Sequence, residues 1–64
     1  RNLKMKRLME LVKKEKLTVG ELQEIENMPE VLEREFNGAS GYYIGWNWYT
    51  IITEDNEEYD VYVK

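Results

Sequence analysis

The stretch Gly41 to Thr53, GYYIGWNWYTIIT, holds both Trp residues of the chain and three of its five Tyr. No other segment concentrates so much apolar area, so any fold this chain adopts has to be arranged around it. In an extended backbone, Trp46, Trp48, Thr50 and Ile52 fall on one side, and Asn47, Tyr49, Ile51 and Thr53 on the other. The alternation predicts a strand over about residues 43–53, with the Trp-bearing side turned to the core. Gly45 marks a bend within it.

A chain of 64 residues supports one domain, 1–64, and buries only roughly 60% of the surface its unfolded state exposes. It has no Cys, so neither a disulfide framework nor a thiolate metal site can supplement a small core. This composition suits a cytoplasmic protein. The apolar runs are far shorter than the ~20 residues that span a bilayer, and no signal-peptide pattern is present, so no membrane association is expected.

Charge is unevenly distributed. Residues 1–16 carry seven Lys or Arg against two Glu, whereas residues 17–64 carry two against eleven carboxylates. A basic head on an acidic body either packs against itself or presents two surfaces of opposite sign to partners.

Leu3, Leu8, Leu11 and Val12, with Met5 and Met9, recur at helical spacing between Lys, Arg and Glu, which predicts an amphipathic helix over about 2–16. Thr18 and Glu21 then form a capping-box pair flanked by Leu17 and Leu22 as a hydrophobic staple, so a second helix is expected over 19–27. Pro29 ends it and suits the first turn of a third helix over 29–37, PEVLEREF, with Val31, Leu32 and Phe36 on one face and Asn37-Gly38 closing it. The last third reads as a hairpin in which residues 43–53 return as 58–63. A two-residue Asp55-Asn56 turn would set Ile52 opposite Tyr59, Thr50 opposite Val61 and Trp48 opposite Val63. The expected fold is α+β: three short helices followed by a C-terminal antiparallel hairpin or three-stranded meander.

That order of elements resembles the winged helix-turn-helix architecture. Within LTVGELQEIENMPEVLEREF, Leu17, Thr18, Val19, Leu22, Ile25 and Met28 stand where such motifs place a helix cap and core contacts. The resemblance implies a third helix lying in a DNA groove, with Lys and Arg on the phosphates. Here that helix would present Glu30, Glu33 and Glu35 beside Arg34, and the hairpin tip reads EDNEE, so carboxylates would meet a polyanion. The phosphate contacts available to a DNA-binding regulator of this kind are Lys4, Lys6, Arg7, Lys13 and Lys14 of the first helix.

Catalytic chemistry finds little footing. Without His or Cys, the commonest general base and the thiol nucleophile are missing, and Ser40 has no activating partner in view. The acidic run from Glu54 to Asp60 lacks the spacing of a calcium loop. No enzyme, cofactor or metal is expected. The stronger reading is a small regulatory or inhibitory interaction module, of the kind phages and mobile elements encode. It would bind a basic protein surface through Tyr43, Tyr49, Ile51 and Tyr62, ringed by Glu58 and Asp60 on the hairpin face turned away from the core. The DNA-binding regulator is the alternative, and a homodimer that buries the same Tyr patch is a third reading.

Overall fold

The computed structural model describes residues 3–64, and side chains from residue 6 onward. Helix α1 spans Leu3–Lys14 and ends on Lys13 and Lys14, cations that suit the negative end of the helix dipole. Leu8 and Leu11, one turn apart, are fully buried, while Met9 and Val12 flank them at the margin of the core. The helix stops two residues short of the expected Lys16 because Glu15 turns left-handed, with φ 65°. Lys16–Leu17 then form a short strand, β1.

Helix α2, Val19–Glu26, starts on the expected capping box. The Glu21 amide donates to Thr18 Oγ1 at 3.1 Å, and the Thr18 amide donates to Glu21 Oε1 at 2.9 Å. The staple residues Leu17 and Leu22 are both buried. Asn27 closes the helix, its amide hydrogen-bonded to the Gln23 and Glu24 carbonyls.

The third helix is absent, and the expected fold class is thereby overturned. Residues Val31–Ala39 form a strand, β2, which pairs antiparallel with β3, Asn47–Thr53; β3 pairs antiparallel in turn with β4, Glu58–Val63. Strand β1 joins the other side of β4 in parallel, and the mixed sheet runs β1-β4-β3-β2. VLEREF reads at helical spacing through Val31, Leu32 and Phe36, but it also alternates, with Glu33 and Glu35 on one side and Arg34 and Phe36 on the other, and as a strand it pairs with the free side of β3. Glu30, expected to project from that helix, is buried at the start of β2.

The hairpin also differs in register. Thr53 and Glu57 pair through the Thr53 amide and the Glu57 carbonyl at 3.0 Å, so the loop holds three residues, and Asn56 takes φ 65°. This is the three-residue hairpin with a left-handed last position, for which Asn is well suited. One extra loop residue shifts every pair by one: Ile52 meets Glu58, Thr50 meets Asp60 and Trp48 meets Tyr62. The faces of β3 are consequently exchanged with respect to the expectation.

Both helices cover one face of the sheet. Leu8, Leu11, Leu17, Leu22 and Ile25 pack there with Ile51, Val61 and Val63, and each such side chain contributes roughly 1.5–3 kcal/mol on burial. The Trp residues are not the centre of the core. Trp46 is half-buried, with the Lys16 and Lys64 ammonium groups 5.3 and 5.5 Å from its ring centre, and Trp48 is 37% exposed on the face away from the helices.

Candidate protein-binding face

Residues opposite one another in a sheet share a face, so the register defines what lies on the side away from the helices, the open face. Three rows cross it. Glu33, Ile52 and Glu58 form one; Glu35, Thr50 and Asp60 the next; Gly38, Trp48, Tyr62 and Lys16 the third. The surface grades from a carboxylate end to an aromatic end.

Successive carboxylates on one strand stand roughly 7 Å apart, within the ~8 Å screening length of physiological salt. None of Glu33, Glu35, Glu58 or Asp60 enters an ion pair among the described residues. A chain of hydrogen bonds fixes the middle row: Asn37 Nδ2 donates to Thr50 Oγ1 at 2.7 Å, and the Thr50 hydroxyl donates to Asp60 Oδ1 at 3.2 Å. The Trp48 indole donates to the same Asp60 oxygen at 3.2 Å, which ties the aromatic row to the acidic one.

The aromatic end is built by the loop between β2 and β3. Ser40 Oγ accepts the Tyr42 and Tyr43 amides at 3.0 and 2.9 Å, and the Ser40 amide reaches the Trp46 carbonyl at 2.8 Å, closing the loop. Gly45 takes φ 89°, a left-handed value that a side chain would strain. Tyr43 meets Tyr62 edge-on at 4.8 Å and donates its hydroxyl to Glu15 Oε1 at 2.9 Å. That bond raises the Tyr43 pKa above the ordinary 10.0, and burial raises that of Tyr62. Lys16 lies 4.4 Å from the centre of the Tyr43 ring. Ser40, Gly41, Tyr42, Trp48 and Tyr62 surround a cleft of about 140 Å³, and Tyr42 and Ile44 are 75% and 85% exposed beside it.

Of the residues expected to contact protein, Tyr43, Tyr62, Glu58 and Asp60 come together here. Tyr49 and Ile51 do not, because the shifted hairpin register sends them to the helix side. Ile51 is fully buried, and Tyr49 lies under Phe36 and the Arg34 guanidinium, each 5.2 Å from its ring centre. Trp48, Ile52, Glu33 and Glu35 take the vacated places. The period-two alternation of VLEREF was the signal that could have found the last two.

The expected phosphate contacts are divided. Arg7 binds Glu24 at 2.5 Å and Glu10 at 3.4 Å, and Lys14 pairs with Glu21. The basic head is thus partly spent on the acidic second helix, whose Glu21 and Glu24 carboxyls are held below their ordinary pKa by Lys14 and Arg7 respectively. Lys6 and Lys13 are exposed, and the Lys4 side chain lies outside the described residues. The segment to which the helix-turn-helix resemblance would assign groove contacts is strand β2.

Among the described residues no group of three or more His, Cys, Asp or Glu is placed to hold a metal ion, and no helix is long and apolar enough to cross a membrane. Comparisons with protein-family models, curated proteins and solved structures return no match to this chain.

Proposed function

We propose that the chain is a small, non-enzymatic interaction module that binds a basic protein surface on its open sheet face and thereby regulates or inhibits that protein, in the cytoplasm. The observation that carries this reading is the arrangement of four carboxylates, none in an ion pair among the described residues, beside Trp48 and Tyr62 on a face no helix covers. Rigid aromatics supply broad contact area with little rotamer entropy to lose, and the acids select a cationic partner and speed its approach. The hydrogen-bond chain from Asn37 to Asp60 supports the same reading, since it orients the groups before a partner arrives.

The test is affinity capture from the source cell with three forms of the protein: wild type, Trp48→Gln with Glu58→Lys on the open face, and Gln23→Lys on the exposed side of α2. Wild type and Gln23→Lys are expected to retain the same basic protein, released by added salt, and the open-face variant to lose it. Equal retention by a correctly folded open-face variant would sink the proposal.

A further inference from the structure

Strand β2 is one edge of the sheet, the short β1 being the other: β2 pairs with β3 on one side, and among the described residues no strand lies on its other side. An unpaired edge offers backbone donors and acceptors to any extended chain that fits its side chains. The side chains here are of two kinds. Glu33 and Glu35 project on the open face, while Phe36, on the helix side, is 61% exposed and the bulged Leu32 is 63% exposed. Where β2 begins, Glu26, Val31, Leu32, Glu33 and Arg34 line a shallow groove of about 330 Å³. Arg34 already occupies the Glu26 carboxylate at 2.7 Å, which leaves Glu33 as the acceptor, with Val31 and Leu32 as apolar walls.

We infer that β2 receives an extended segment of the partner as a fifth strand, one that alternates Lys or Arg with apolar residues. The cations face Glu33 and Glu35, the apolar residues meet Phe36 and Leu32, and one long basic side chain lies in the groove with its stem on Leu32 and its head on Glu33. The inference rests on the partner's being basic, as proposed above, and adds where and in what conformation it is held. The register shifts at Val31/Glu33 and Phe36/Gly38 confine regular pairing to Glu33–Phe36, enough for a short segment and too little for open-ended stacking. A second copy is a poor occupant. Antiparallel pairing of two β2 strands centred on Arg34 sets Glu33 against Glu35 twice, and centring on Glu35 sets it against itself.

The experiment uses isotope-labelled protein and two capped synthetic peptides of one composition, one alternating Lys and Val and one with all its Lys first. The alternating peptide is expected to shift the amide signals of Glu33–Phe36 and slow their hydrogen exchange, and the block peptide to leave that exchange unchanged. Glu33→Gln with Glu35→Gln should weaken the alternating peptide by roughly fivefold. If both peptides move only Glu58, Asp60 and the Trp48 indole, the edge is not used and the inference falls while the open-face reading stands. No response to either peptide overturns the inference as well. A peptide-free dimer in sedimentation with protected β2 amides would make a second copy the occupant, and would also overturn it.

Discussion

The Trp48 indole N–H donates to Asp60 Oδ1 at 3.2 Å, diagonally across the β3–β4 ladder, and the Thr50 hydroxyl donates to the same oxygen. One carboxylate therefore holds two donors on the face turned away from the helices, and Thr50 is 9% exposed. Asp60→Ala should destabilise the protein by about 1 kcal/mol, the usual net value of such bonds on a half-wet surface. It should also let the Trp48 ring rotate. Urea unfolding gives the first quantity, and the indole proton shift together with Trp fluorescence the second; an unchanged indole shift would show that Asp60 does not hold the ring.

Adjacent residues of one strand provide a direct check on which side of the sheet is covered. Ile51 is fully buried among Leu8, Ile25 and Val61, while Ile52 lies half-buried between Glu33 and Glu58 on the open face. Ile51→Ala should cost about 2–4 kcal/mol and Ile52→Ala less than about 1 kcal/mol, in paired denaturation curves. The reverse order would restore the Trp-inward hairpin expected from the sequence.

Acid should weaken the contact between the helices. Glu21 and Glu24 are held below their ordinary pKa of 4.5 by Lys14 and Arg7. The unfolded chain therefore takes up these protons at higher pH than the folded one. The stability the two carboxylates contribute is fully present above 4.5 and disappears as pH falls through their folded values. Arg7→Met with Lys14→Met removes the cause, so the double variant should lose less stability than wild type between pH 7 and pH 3 in urea titrations. Both pairs are partly exposed, and salt should shrink the difference.

How far the sequence was readable depended on whether a signal was local. The Thr18–Glu21 box, the Leu17–Leu22 staple and the Pro29 stop all act within a few residues, and α2 lies where they place it. Helix α1 was equally plain in its Leu spacing. Strand β2 was not, because Val31, Leu32 and Phe36 satisfy a helical period while Glu33 and Glu35 satisfy an extended one; the need of β3 for a second neighbour decides between them. The orientation of the aromatic strand turned on a single loop residue. Taking Asp55-Asn56 as the whole turn gave a pairing that put Trp48 beside Val63; the left-handed Asn56 lengthens the loop and puts Trp48 beside Tyr62. The two acids of β2 on the open face were hidden behind that helical reading, and Ile51 was assigned to the surface through the same one-residue shift.

Strand β4 lies between β3 and β1, and β1 has no other partner in the sheet. The element that joins the start of the chain to its hairpin is therefore the one furthest along it. While a ribosome is still making residues upstream of Glu58, Leu17 has no Val63 to lie beside and Ile51 has no Val61. Until that segment emerges the nascent chain can form the β2–β3 ladder but cannot tie β1 to it, and the sheet is completed only when β4 takes its place between β3 and β1.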